Sequence, residues 1–140
     1  MDITTKSIIN ILFIHFIADF VLQTDKQAKG KSNNIKDLLS HTIVYSLCYF
    51  IIPLFMYLKD FKPYDGELSK EDYLFYNIYV PKLLIFILIT FICHTITDYF
   101  TSRLNKKLWD KKEVHNFFIS VGFDQFLHHL QLILTYYFLI

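Results

Sequence analysis

The sequence predicts an all-α integral membrane four-helix bundle, built as two pseudo-repeated helical hairpins and forming one transmembrane domain over residues 1–140. Three observations predict it. Hydrophobic residues make up 54% of the chain and aromatics 19%, while Gly and Pro number only three each, which excludes a turn-rich β fold. Four long apolar stretches, at residues 7–24, 38–58, 80–102 and 116–140, approach the ~20 residues that a helix needs to cross a hydrocarbon core. They are too long for strands. Three of the four carry a His/Asp pair at i, i+4: His15 and Asp19, His94 and Asp98, and Asp124 and His128.

The first stretch is interrupted only by His15 and Asp19. Its start, Met1-Asp2, is not basic and no small-residue cleavage site follows, so it reads as a retained helix, not a cleaved signal. The second carries no charge from His41 to Leu58. The third is uncharged from Leu83 to Thr97, and Pro81 suits its first turn. The fourth is uncharged from Gln125 to Ile140. Cys48 and Cys93 lie inside apolar runs and read as small buried hydrophobes, because two lone cysteines make no disulfide framework.

The charges sit between the spans. Lys26, Lys29, Lys31 and Lys36 follow the first; Arg103, Lys106, Lys107, Lys111 and Lys112 follow the third. The middle connection mixes both signs, and Tyr73, Phe75, Tyr76 and Tyr79 read as an interface belt. The positive-inside rule then places both short basic connections in the cytoplasm and both termini outside, in a multi-pass protein of a bacterial inner membrane. Net charge is +1, so nucleic acid is not an expected partner. The expected partner is membrane lipid, and a homo-oligomer is compatible with this reading.

With that orientation, the polar residues converge. Counting 1.5 Å per residue puts His15, Asp19, His41, His94, Asp98, Asp124 and His128 roughly 5–18 Å from the cytoplasmic ends of their helices. A charged side chain at mid-bilayer costs at least ~2.5–3.5 kcal/mol. A lone His/Asp pair is usually a structural hydrogen bond; three at one depth point to a shared ligand. Imidazole and carboxylate suit a divalent metal: zinc first, with manganese or iron as alternatives. Seven ligands exceed one ion's needs, so about two ions bridged by an Asp are expected, an arrangement suited to phosphoester hydrolysis. Asp124 and His128 are the expected catalytic groups, with Arg103 holding an anion. Lys106 and Lys107 have charge suited to a lipid phosphate. Gln23 and Gln125 are expected to support the ligands, and His115 to meet substrate; His129 points away from His128.

A weak internal repeat relates residues 14–20 (IHFIADF) to 93–99 (CHTITDY), which motivates the two-hairpin reading. The elements H-x-x-x-D-F-x-x-Q at 15–23, His41, H-x-x-x-D at 94–98 and D-Q-x-x-H at 124–128 resemble the small bacterial and phage membrane family named domain of unknown function 3307, over nearly the whole chain. That family is similar in size and His/Asp content to the LexA-regulated membrane-bound metal-dependent hydrolases of the YdjM-like group, which resemble zinc-dependent phospholipase C. The family carries no established activity; the surplus of ligands and their position near the headgroups give the expected function, a membrane-embedded metal-dependent hydrolase of a lipid or polyprenyl phosphoester at the cytoplasmic leaflet. The alternatives are a divalent-metal or proton transport protein, a haem-binding membrane protein, and a phage-type membrane interaction protein without catalysis. Transport needs polar groups through both halves of the bundle, and the outer half is nearly all apolar.

Overall fold

The computed structural model describes residues 5–59 and 75–139, and it is helical, with no strand among them. The mixed-charge connection and Tyr73 lie outside the described residues. Helix α1 (Thr5–Phe16) runs into a π-helical turn (Ile17–Val21). A short α2 (Asp25–Gly30) precedes α3 (Ile35–Lys59). A second π-helical turn (Phe75–Tyr79) leads into α4 (Val80–Asp110), and α5 (Val114–Leu139) follows.

The predicted boundaries shift for identifiable reasons. The first span stops at Val21, not residue 24, because Thr24 starts a new helix. Its hydroxyl accepts from the Gln27 backbone N–H (3.3 Å) while the Gln27 side chain accepts from the Thr24 N–H (2.9 Å), a capping box. Gln27 then donates to Ser40 Oγ (2.9 Å), fastening α2 to α3. At the end of α2, a side chain on Gly30 would strike the Asp37 carboxylate, so glycine there leaves room for that carboxylate over the turn into α3. Helix α4 runs eight residues past the predicted end at 102. Apolarity stops there, but Leu104, Lys106, Lys107 and Leu108 favour helix. The helix ends where a Schellman cap closes it: Glu113 N–H donates to Leu108 C=O and Lys112 N–H to Trp109 C=O, both at 2.9 Å, with Lys112 at φ 59°.

The four long helices close a ring. α1 packs on α3 and α5, α3 on α4, and α4 on α5, and side chains meet across the diagonals in the middle, as His94 does with Asp19 (3.7 Å). What faces the middle is spaced by four: Phe86, Thr90, His94, Asp98 and Ser102 on α4, and Ser120, Asp124, His128 and Leu132 on α5. One end of the interior is apolar, built from Ile11, Tyr49, Phe86 and Leu132 with their neighbours. The other end is polar. The outside is the reverse, with Leu84, Leu88, Ile92, Ile96, Phe100, Phe123, Phe126 and Leu130 all exposed. Among the described residues, one helix, Asn77–Asp110, is long and apolar enough to cross a membrane by length and composition.

Candidate metal centre

Each helix delivers its ligands through its own period. On α4 and α5 the i, i+4 spacing aligns His94 with Asp98 and Asp124 with His128. On the first helix the π-helical turn is decisive. Leu22 N–H donates to Ile17 C=O (2.9 Å), one residue further back than in an α-helix. The extra residue lets the neighbours Ala18 and Asp19 both point inward, where both are buried. His41 comes from the second turn of α3, completing a cluster in which His15, Asp19, His41, His94, Asp98, Asp124 and His128 are all buried.

His41 Nε2 is the hub. It lies 3.0 Å from Asp19 Oδ1, 3.2 Å from His94 Nε2 and 3.4 Å from Asp98 Oδ2. His94 Nε2 is 3.7 Å from each of those carboxylate oxygens. Two ligands bonded to one zinc at ~2.0–2.1 Å in tetrahedral geometry stand about 3.3 Å apart. The observed separations bracket that value, and Asp19, His41 and His94 form one group that can hold an ion; His94, Asp98 and His128 form another. On the far side, His128 Nε2 is 3.4 Å from both Asp98 Oδ1 and Asp124 Oδ1. His128 Nε2, Asp98 Oδ1 and His94 Nδ1 are buried without a hydrogen-bond partner. Such atoms are costly to leave unpaired, and two of the three face one another across the space where an ion would sit.

The remaining groups hold this set in place. The His94 ring stacks between Tyr45 (centroids 3.7 Å) and His128 (4.0 Å). Gln125 Nε2 donates to Asp19 Oδ2 (3.1 Å) and Asp124 Oδ2 (3.2 Å), and its carbonyl faces His15 Nε2 (2.8 Å). A carbonyl only accepts, so His15 Nε2 carries the proton and Nδ1 takes the Tyr45 hydroxyl at 2.8 Å. With both nitrogens engaged, His15 braces Asp19 instead of facing the hub. Thr101 donates to Asp124 Oδ1 (2.5 Å). Lys31 reaches over from the α2–α3 turn to Asp98 Oδ2 (2.8 Å). Burial opposes its charge, but the Asp98 and Asp19 carboxylates outweigh that and raise its pKa.

Expected residues are thus sorted. Gln125 supports the ligands, whereas Gln23 Nε2 is buried with no partner. Arg103 sits apart from the hub, its guanidinium over the Tyr99 ring (3.6 Å) and donating to the Tyr99 C=O (2.6 Å). His115 is exposed, and His129 packs on the His15 ring (4.5 Å). Both cysteines are free thiols. Lys31, Tyr45 and Thr101 were not anticipated. Only the Tyr45 spacing, i+4 from His41, offered a sequence signal.

Fold and site together define a class: an all-helical protein whose ring of helices encloses a buried His/Asp cluster able to hold a metal ion. The chain belongs to the family described as Protein of unknown function (DUF3307), which matches residues 8–140. No curated protein and no solved structure matches it.

Proposed function

We propose that this chain is a multi-pass membrane protein and a metal-dependent hydrolase of a lipid or polyprenyl phosphoester, with its site open to the cytoplasmic leaflet. The carrying observation is the spacing of nitrogen and oxygen atoms around His41 Nε2, at 3.0–3.4 Å from Asp19, His94 and Asp98. Asp19, His41 and His94 would hold one zinc or similar ion, and Asp98 and His128 would hold a second, with Asp124 beside them. Separate assignment matters, because one imidazole nitrogen binds one ion and His94 cannot serve both groups through Nε2.

Bound ions would lower the pKa of a water and neutralise charge on phosphoryl oxygens. The residues do the rest. Asp124, held by Thr101 and Gln125, accepts the proton of the attacking water, and His128 beside it is kept for the ion. Gln125 keeps Asp19 and Asp124 oriented. The apolar end of the interior, at Ile11, Tyr49, Phe86 and Leu132, favours a site with one opening over a conducting path. The exposed apolar surface of α1, α4 and α5 supports insertion in lipid.

The test is elemental analysis of the detergent-purified protein, expected to give about two zinc-type ions per chain. His94→Ala and Asp98→Ala should each lose metal and, by stranding buried charge, about 3–5 kcal/mol of stability. Cys48→Ser should change neither. Metal-loaded protein incubated with a lipid panel should release phosphate or a phosphorylated headgroup by mass spectrometry, and Asp124→Asn should not. A wild type that carries no metal and melts identically with and without chelator sinks the reading.

A further inference from the structure

A second feature lies beyond the His/Asp cluster, at the end of α4. A cavity of about 310 Å³ is walled by Ser32, Asn33, Arg103, Lys106, Lys107 and Lys111, with Asp110 as the one carboxylate. Four cations against one anion leave a strong positive field. Two of them are already positioned. The Tyr99 ring and carbonyl fix Arg103, and Lys106 Nζ donates to Asn33 Oδ1 (3.0 Å), tying α4 to the α2–α3 turn. Lys111 has only a long contact to Glu113 (4.0 Å), so its charge is largely available.

The cavity lies next to the cluster along the chain. Lys31, which bonds Asp98, directly precedes Ser32 and Asn33. Along α4, Asp98 Oδ1, Ser102 Oγ and Asn105 Oδ1 are buried polar atoms without partners. Their i, i+4, i+7 spacing puts them on one helix face, spanning roughly 10 Å. This polar face of α4 runs from the proposed metal site toward the helix end that lines the cavity.

We propose that this cavity binds the phosphate group of the substrate, a phosphomonoester, as it arrives at the basic end of α4, before it reaches the metal centre. Its role as the substrate site rests on the hydrolase reading; the binding itself does not. A phosphomonoester carries about −1.5 to −2 charge at neutral pH and takes charge-assisted hydrogen bonds from several Lys and Arg side chains at once. A choline headgroup, with its own cation, does not fit this field.

Isothermal titration calorimetry reads the binding. In detergent with chelator, short-chain phosphatidic acid should bind saturably and phosphatidylcholine should not. Glycerol 3-phosphate tests the source. Equal binding assigns a soluble phosphoester, and binding by phosphatidic acid alone assigns a lipid. The Lys106→Gln/Lys107→Gln variant should bind at least tenfold more weakly. The control Lys26→Gln/Lys29→Gln removes the same charge from two exposed lysines of α2 and should bind as wild type. The proposal is overturned if neither phosphate compound binds, if the cavity variant binds normally, or if the control weakens as much, which would reduce the patch to an orientation signal. Saturable binding by a protein that proves metal-free would keep the cavity and remove the hydrolase.

Discussion

Lys31 shows how one residue can be decisive and still unreadable. It lies among four lysines whose spacing says only that they flank a span, and its partner Asp98 is 67 residues away. No local period connects them. Its ammonium, 17% exposed, meets a carboxylate that is 1% exposed, so removing it leaves a buried anion to its imidazole neighbours, His41 and His128 at 3.4 Å. Lys31→Met should therefore cost about 3–5 kcal/mol in protein stripped of metal. The loss should shrink when zinc is restored, since an ion on Asp98 supplies the same compensation. Melting with chelator and then with zinc checks this, and an equal loss under both conditions would mean that Lys31 and the ion do not share Asp98. By contrast, His94, Asp98, Asp124 and His128 were legible because an i, i+4 pair on a helix needs no knowledge of the rest of the fold. Gln23 and Gln125 looked alike in sequence. Packing alone separates them, placing Gln125 between two carboxylates and leaving Gln23 without a partner.

Among the elements, the four long helices could be read from apolar length, but their ends could not. Ends are decided by caps. The capping box at Thr24 and Gln27 was visible as T-x-x-Q, yet it lay at the edge of an apolar run and was absorbed into it. The π-helical turn at Ile17–Val21 leaves no mark in composition, although it turns Asp19 inward. The end of α4 carries a testable irregularity. Lys112 sits at φ 59°, the position where glycine is favoured. A left-handed non-glycine residue costs ~1–2 kcal/mol, against ~0.5–1 kcal/mol of extra chain freedom that glycine loses on folding. Lys112→Gly should accordingly stabilise the protein by about 0.5–1 kcal/mol. Equilibrium unfolding in mixed micelles measures it, and a destabilised variant would show that the Lys112 side chain has a role of its own.

At the level of the whole molecule, polarity is inverted: His, Asp, Ser and Thr line the interior of the ring, and Phe, Leu and Ile cover its outside. The proposed orientation follows from the basic residues at the ends of the first and third spans. In a background lacking Cys48 and Cys93, single cysteines at Asn33 and Lys107 should resist an impermeant thiol reagent in intact cells, while one at Asp65 should react. Labelling at Asn33 without labelling at Asp65 would invert the orientation. The depth at which the ligands meet would be unaffected, because it depends on which ends of the helices lie together.

The pairing within the cluster also bears on how such a chain can be made. Asp19 finds its shortest histidine contact in His41 (3.0 Å), and both belong to the first half of the chain. Asp98 and Asp124 each stand 3.4 Å from His128, all three within the second half. Each half thus brings an imidazole for its own carboxylates, while Lys31 of the first half gives Asp98 of the second its shortest contact (2.8 Å). The half made first therefore already carries the cation that the later Asp98 needs. Divided between residues 65 and 66 and produced as two polypeptides in one cell, the halves should find each other and restore the bound metal, whereas either alone should not.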